Sequence, residues 1–184
     1  GSNNWYYAYG NSSRRDVMRD AEMTAAFAFG NENRPFTVID DGWSVNPCAG
    51  PWRPNEKFGD MAEIAAAFKK IGVRPGIWLR PLRDMELEKQ HPAWCLSRVN
   101  DDDANNAPSL CLDPTVPAVQ EYIRTTVRRM TAWGYELIKH DYTTYDLFGA
   151  FGYVLNGKIT VKDGWHFHDE TKTSAEIVSA LYGL

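Results

Sequence analysis

The sequence predicts an α/β protein built around a parallel sheet, and three observations support this fold class. Four short apolar or aromatic segments alternate with four segments of helical periodicity. Each of the first three helical segments lies between two strands, so it can return the chain to start the next strand in the same direction. At 184 residues, of which 43% are hydrophobic, the chain is long enough for one substantial core and short for two domains. We therefore expect a single domain over residues 1–184.

The four strands are predicted where apolar residues form compact runs. The first is the aromatic segment 4–9, and the second is FTVID at 36–40. The third strand covers 74–79 and the fourth covers 135–139. The second run has the form expected of a strand that is buried on both faces. These four segments would form the sheet.

The four helices are predicted from caps that precede apolar residues at helical spacing. Ser13 and Thr173 are each followed by an acidic residue three positions later, which is the capping-box pattern. Asp60 is suited to cap the second helix, and the third helix should start near Asp113. Glycines end the first three helices. The fourth helix is expected to be still running at Leu184.

The connections differ in length between the two ends of the predicted sheet. Helix-to-strand connections are short, whereas the strand-to-helix connections span 41–59, 80–112 and 142–171. Loops longer than about 15 residues are usually functional in compact domains. This asymmetry is typical of a (β/α) barrel of the TIM type, whose active site is built from the loops after the strands. A doubly wound sheet is less favoured, because the sequence lacks a glycine-rich phosphate loop.

The chain is short for a complete barrel. Eight βα units typically need about 250 residues, so we expect four units, which is half a barrel or a truncated one. An insertion at about 151–163 is predicted to be a β-hairpin, because two β-rich runs flank Asn156-Gly157. The hairpin is equally compatible with a substrate-contacting flap and with loop decoration or an oligomer contact.

Charged and aromatic side chains gather at the predicted strand ends. They are Trp5, Asp40, Asp41, Trp78, Arg80, Lys139 and Asp141. The period of two along a strand places Lys139 and Asp141 on the same side, where the ammonium favours the ionised carboxylate. An ionised carboxylate in this place could act as a nucleophile, although an isolated pair of this kind is more often a surface ion pair.

The residues around this pair favour a carbohydrate ligand. Carboxylates such as Asp40 and Asp41 accept hydrogen bonds from sugar hydroxyls, and aromatic faces cover the C–H surfaces of a sugar. The net charge is −4 and the basic residues are scattered, which argues against nucleic acid and anionic membranes as partners. The apolar runs are also too short to span a bilayer. A neutral partner therefore fits the sequence best.

Six segments together resemble the catalytic barrel of the α-galactosidases, or melibiases, of glycoside hydrolase family 36, with kinship to family 27. They are NNWYYAYG, VIDDGW, GPWRPNEKFGDM, GVRPGIWLRP, LDPT and WGYELIKHDYTTYDLFG. The resemblance implies a retaining glycosidase that acts on terminal α-galactosides of galactose-containing oligosaccharides. It also implies that Asp141 is the catalytic nucleophile and forms a covalent galactosyl intermediate.

The resemblance assigns substrate-binding roles to the other residues at the strand ends. Asp40 and Asp41 would bind galactose hydroxyls, and Lys139 would bind the sugar and support the nucleophile. Trp5 would form a wall of the galactose pocket. Trp78 and Arg80 would lie in or near that pocket, although many relatives carry an acidic residue where Arg80 stands.

One part of the family's catalytic apparatus is missing from this chain. Retaining hydrolysis needs a second carboxyl group as acid and base, and in the family this group comes from a later strand. Nothing in the family motif assigns that role to Asp146, Asp163, Asp169 or Glu170. We therefore expect the isolated chain to be inactive alone. The unpaired sheet edges should favour a homo-oligomer or association with the missing half of the barrel.

Three alternatives stay open at this point. The chain could be a non-catalytic half-barrel that serves as an assembly unit, a related α-glycosidase, or a galactosyltransferase on the same scaffold.

His166 and His168 alternate like a metal-binding pair but lack a third ligand at a suitable spacing, so we expect no metal and no cofactor. We expect a soluble protein, with a cytoplasmic location slightly favoured. Gly1-Ser2 is typical of a cloning remnant, however, so an export signal could have been removed.

Overall fold

A computed structural model of the chain describes residues 1–96, 111–148 and 166–184. Within these ranges, four strands form one sheet: β1 Ser2–Asn3, β2 Phe36–Ile39, β3 Arg74–Leu79 and β4 Leu137–His140. The strands lie in the order β1-β2-β3-β4, and each neighbouring pair is parallel. Strands that follow each other in the chain are therefore neighbours in the sheet, which confirms the predicted (β/α) arrangement with four units.

Helices connect and follow these strands. They are α1 Trp5–Ala8, α2 Arg14–Phe27, α3 Met61–Ile71, α4 Met85–Gln90, α5 Pro117–Ala132, α6 Thr143–Phe148 and α7 Ser174–Tyr182, with a 3₁₀ turn at Pro92–Trp94. Helices α2 and α3 connect successive strands, and α5 precedes β4. Helices α4 and α6 lie in segments that the sequence indicated only as loops. No helix in the described ranges is both long and apolar enough to cross a membrane.

The predicted helix caps are present. The Asp60 carboxylate accepts hydrogen bonds from the backbone N–H groups of Ala62 and Glu63 at the start of α3. Capping boxes at Ser13 and Thr173 start α2 and α7. Each cap satisfies backbone donors that the first helical turn leaves without a partner, which is why these three starts could be predicted.

The first strand is shorter than predicted, and Trp5 does not lie on it. β1 ends at Asn3, and Trp5 is the first residue of α1. The Asn3 side-chain oxygen accepts the Trp5 N–H at 2.9 Å, and this local bond turns the chain away from the ladder. The Tyr9 N–H then closes the helical turn on the Trp5 carbonyl at 2.8 Å. The prediction of a strand over 4–9 was therefore wrong.

Other boundaries also differ from the prediction, including that of β2, which ends at Ile39 rather than at residue 40. Helix α5 starts at Pro117, because the Asp113 carboxylate first holds a turn by accepting the Thr115 N–H at 2.7 Å. Strand β4 covers Leu137–His140 rather than 135–139. Helix α7 ends at Tyr182, so the expectation that it still runs at the last residue was wrong.

The chain divides into two compact units. The first contains Gly1–Leu79 and Thr126–Asp141, and therefore holds the whole sheet; the second contains Arg80–Thr125 and Tyr142–Leu184. The core of the first unit includes Ile39, Ile64, Phe68, Ile77 and Leu79, and that of the second includes Leu82, Leu112, Val119, Leu147 and Ile177. The hairpin predicted at about 151–163 lies outside the described residues.

Candidate active site

The carboxyl ends of β2, β3 and β4 bring four polar groups together in the first unit. Lys139 Nζ lies 2.7 Å from Asp40 Oδ2 and 3.8 Å from Asp141 Oδ2. The indole N–H of Trp78 donates to the same Asp141 oxygen at 2.8 Å, and Trp78 is the register partner of Lys139. The ammonium is thus closer to Asp40 than to Asp141, which follows it two positions later in the chain.

Asp40 is a buried carboxylate whose oxygens are well supplied with donors. Its Oδ2 accepts hydrogen bonds from the Asn3 amide and from Lys139, and its Oδ1 accepts from the Asp41 N–H at 2.9 Å. Burying a carboxylate is unfavourable unless donors replace its water. Two side-chain donors and one backbone donor provide that compensation and fix the direction of the Asp40 side chain.

Asp41 holds the turn that follows β2. Its Oδ1 accepts from the backbone N–H groups of Gly42 at 2.7 Å and Cys48 at 2.9 Å. Gly42 has φ +103°, and a Cβ at this position would lie 2.3 Å from the Gly10 carbonyl oxygen. Only glycine fits this backbone conformation and this close approach, so the DDGW motif fixes the Asp40-Asp41 turn against the loop after α1.

Trp78 approaches the site from a cluster of buried tryptophans. Trp43 and Trp52 are fully buried with Trp78, and the Trp52 and Trp78 ring centres are 5.6 Å apart. The Trp43 indole donates to the Trp78 backbone carbonyl at 2.9 Å. Trp78 therefore contacts the site through its indole N–H, which donates to Asp141.

Trp5 is connected to the site through Asn3. Its side chain is half-buried and packs edge to face on Tyr9, with the ring centres 5.7 Å apart. The Trp5 backbone N–H donates to the Asn3 side chain, and the Asn3 amide donates to Asp40. Sequence reasoning did not find Asn3, because it lies outside the strand predicted at 4–9 and its contact with Asp40 joins residues 37 positions apart in the chain.

Arg80 lies in the second unit, where it forms a buried ion pair. Its Nε and Nη2 donate to the Asp146 carboxylate at 2.9 Å and 2.6 Å, and the two side chains are 7% and 0% exposed. The guanidinium carbon also lies 4.1 Å from the centre of the Tyr142 ring. Arg80 therefore has a packing role within this unit, where its guanidinium pairs with the Asp146 carboxylate.

The other acidic and histidine candidates lie near the start of α7. The Asp169 carboxylate accepts from Thr171, and Glu170 pairs with His166 at 3.3 Å. The backbone N–H of His168 donates to Asp113 at 2.6 Å. Across residues 1–96, 111–148 and 166–184, no three His, Cys, Asp or Glu side chains are grouped as metal ligands would be; Asp163 lies outside these ranges.

Between Lys139 and Asp141, His140 is a partly buried base. Burial lowers the pKa of His140 to about 4, and the charge of Asp141 opposes this effect only in part. The unfolded chain binds this proton near pH 6.5, so it holds more protons than the folded chain between about pH 6.5 and pH 4. Acid in this range therefore favours unfolding.

We expect the free energy of unfolding to fall as the pH drops from about 6.5 to about 4, with His140 contributing on the order of 3 kcal/mol at most. Urea unfolding at several pH values measures this dependence. His140→Gln, which cannot titrate, should show a flatter dependence in the same range. Equal pH dependence in both proteins would contradict the assignment to His140.

Together, a parallel sheet of successive βα units and a carboxylate–ammonium–carboxylate group at its carboxyl ends define part of a (β/α) barrel with a polar site. A family model described as Melibiase matches residues 3–157. The chain therefore belongs to the melibiase family, as the sequence motifs indicated. No curated protein matches the chain.

Solved α-galactosidases have similar structures. TtGalA from Thermus thermophilus, in complex with stachyose, is 28% identical with a TM-score of 0.63, over 79% of this chain and 32% of that one. Its complex with p-nitrophenyl α-D-galactopyranoside has a TM-score of 0.62. The family-36 enzyme AgaA from Geobacillus stearothermophilus is 25% identical with a TM-score of 0.64, over 76% of this chain and 20% of that one. The chain thus spans about a fifth to a third of the length of these enzymes.

Proposed function

We propose that this chain provides the nucleophile and the galactose-binding carboxylates of a retaining α-galactosidase that acts on terminal α-galactosides of oligosaccharides. The observation that carries this proposal is the group of Asp40, Lys139, Asp141 and Trp78 at the carboxyl ends of three neighbouring strands. The family match and the galactosides bound by the Thermus enzyme support the substrate class.

Each residue of this group has a role in the proposed reaction. Asp141 attacks the anomeric carbon of galactose, so a carbon–oxygen bond to Asp141 forms while the bond to the leaving oxygen breaks. Trp78 and Lys139 hold the attacking carboxylate, and the buried Asp40 accepts a hydrogen bond from a sugar hydroxyl. Water then cleaves the galactosyl-Asp141 bond, which returns the α configuration at the anomeric carbon.

A second carboxyl group must protonate the leaving oxygen and then activate the water. Retaining enzymes place this group about 5 to 5.5 Å from the nucleophile. Among the acids discussed for the fourth loop, Asp146 is buried against Arg80, and Asp169 and Glu170 form local contacts. In this proposal the group comes from barrel segments beyond residues 1–184, and the 184-residue chain is inactive alone.

The β1 side of the first unit is a surface that such segments would cover. Within the described ranges, β1 pairs with β2 alone, and Phe27 and Phe29 are 88% and 95% exposed. Tyr7, Met23 and Phe27 line a groove of about 440 Å³ beside β1. In a longer barrel, a neighbouring strand and helix would bury these apolar faces. In the short chain, a second copy of the chain would bury them instead. Light scattering should show that the 184-residue chain associates with itself. This association should disappear in the parent polypeptide, meaning the natural polypeptide to which residues 3–184 belong.

The proposal is tested by hydrolysis of an activated aryl α-galactoside and by trapping the covalent intermediate with an activated 2-fluorogalactoside in the parent polypeptide. We expect turnover with retention of configuration and a fluorogalactosyl label on Asp141, located by peptide mass mapping. Inversion, a label on another residue, or absence of turnover would contradict the proposal. Faster hydrolysis of another α-glycoside, or transfer to a sugar acceptor in preference to water, would favour the related specificities instead.

Replacing Trp78 by phenylalanine keeps an aromatic ring but removes the N–H that holds Asp141. A hydrogen bond to a charged group is worth about 1.5–3 kcal/mol, so kcat/KM should fall roughly 10- to 100-fold. Because the lost donor holds the attacking oxygen of Asp141, the fall should be measured as kcat/KM for the aryl α-galactoside.

A matched control separates this effect from simple repacking. Trp43→Phe removes an indole N–H from the same cluster, but that N–H donates to a backbone carbonyl. This variant should lose stability while kcat/KM of the folded protein stays close to that of the unaltered protein. An equal fall of kcat/KM in both variants would refute the role assigned to Trp78.

A further inference from the structure

We propose that Asn3 is a positioning residue that sets the location of the Asp40 carboxylate and thereby of Lys139. This inference rests on the proposed function, because it assumes that Asp40 accepts a hydrogen bond from a sugar hydroxyl. It adds a residue from the first strand to a site whose other members were found on the second, third and fourth strands.

The side-chain amide of Asn3 is held at both ends. Its nitrogen donates to Asp40 Oδ2, and its oxygen accepts the Trp5 N–H at 2.9 Å. A carboxylate only accepts and a backbone N–H only donates, so the two partners define which end of the amide faces which group. Although Asn3 is exposed, its amide therefore has one orientation that satisfies both contacts.

Asn3 and Lys139 share one oxygen of Asp40. Lys139 Nζ lies 2.7 Å from this oxygen and 3.8 Å from Asp141 Oδ2. The position of the Asp40 oxygen thus decides how far the ammonium lies from Asp141. Asn3 acts on the reaction through Asp40 and Lys139 and needs no contact with the sugar.

The neighbouring residue Asn4 holds the other side of Asp40. Its side-chain oxygen accepts the Asp40 N–H at 2.7 Å, and its amide nitrogen donates to Ser12 Oγ at 2.7 Å. Asn4 therefore fixes the backbone of Asp40, while Asn3 contacts the carboxylate itself. The end of β1 holds Asp40 at two points, of which only the Asn3 contact places a donor against a charge.

Asn3→Asp in the parent polypeptide is the test, because it exchanges this donor for a second carboxylate of nearly the same shape. At neutral pH the two carboxylates repel each other, and we expect KM for an aryl α-galactoside to rise about tenfold or more. As the pH falls, the pair can share one proton, and the protonated side chain again donates to Asp40. The loss in KM should therefore shrink at low pH relative to the unaltered protein at each pH.

Asn31→Asp is the matched control. The Asn31 side-chain oxygen accepts the N–H two residues later, at Asn33, as the Asn3 oxygen does with Trp5. The substitution adds the same charge and retains the same turn, but it does so on an exposed loop. We expect an unchanged KM. An unchanged KM in Asn3→Asp, or a loss that does not recover at low pH, would overturn the proposal.

Stability measurements keep the inference testable if Asn3→Asp folds poorly or if the parent polypeptide does not hydrolyse galactosides. The variant should be destabilised at pH 7 and regain stability, relative to the unaltered protein, as the pH falls. The exchanged pair Asn3→Asp/Asp40→Asn should also be more stable than Asn3→Asp alone, because an amide again faces a carboxylate. Absence of both effects would overturn the inference. Their presence without turnover would refute only the proposed function.

Discussion

Replacing Asp141 by glycine in the parent polypeptide is expected to reduce the hydrolysis of an aryl α-galactoside by at least about a thousandfold. The variant lacks the carboxylate that Trp78 and Lys139 hold at the end of β4, so the galactosyl-enzyme of the proposed mechanism cannot form. Azide is small enough to occupy the space of the missing side chain. It should attack the anomeric carbon from the same face, displace the aryloxide, and yield β-galactosyl azide with partial recovery of rate.

Asp40→Gly is the control for this experiment. It also removes a carboxylate from the site, but it leaves the attacking group in place. Azide should not restore its rate, and any product should keep the α configuration. Rescue of both variants to the same extent, or a residual rate above about a tenth in Asp141→Gly, would show that Asp141 is not the nucleophile. Proton nuclear magnetic resonance of the products distinguishes the two anomers.

Removal of the Asp146 carboxylate by alanine should destabilise the 184-residue chain by about 3–5 kcal/mol. Asp146 is fully buried, and the Arg80 guanidinium that it binds is 7% exposed. Arg80 cannot lose its proton at ordinary pH, so the variant would leave a buried charge with its main partner missing. Chemical denaturation with urea measures the change.

Two comparisons sharpen this result. Glu63→Ala breaks an exposed ion pair, in which the Arg14 side chain is 42% exposed and the Glu63 side chain is 63% exposed. This variant should change the free energy of unfolding by less than about 1 kcal/mol. The double variant Arg80→Met/Asp146→Leu removes both charges and should recover most of the loss. A loss below about 1 kcal/mol in Asp146→Ala would mean that the buried pair is not a main stabilising contact of the second unit.

The parallel sheet and the helix starts could be predicted because they depend on local patterns. Apolar runs predicted three strands to within about two residues, and capping side chains predicted the starts of α2, α3 and α7. The short β1 could not be predicted, because its end depends on an asparagine side chain that competes with the sheet for a backbone N–H. Helix α4 does have a local signal, the Asp84 cap that accepts from Glu86 and Leu87, which the length of the loop concealed.

The convergence of the site was predictable, but its pairing was not. The period of a strand places Lys139 and Asp141 on one side, and their charged groups do lie 3.8 Å apart. The closer partner of Lys139 is Asp40, 99 residues away in the chain, and spacing along one strand contains no information about this contact. Similarly, nothing near Arg80 in the sequence indicates that Asp146 binds it.

The backbone contact between Gly10 and Gly42 has a consequence for protein engineering. A Cβ on Gly42 would lie 2.3 Å from the Gly10 oxygen and 2.7 Å from its Cα, so no side chain separates the two loops. An insertion or a bulkier loop after α1 would therefore displace the turn that carries Asp41. Exchange of loops between family members to change substrate choice should transfer these two segments as a pair, because their backbones are in direct contact.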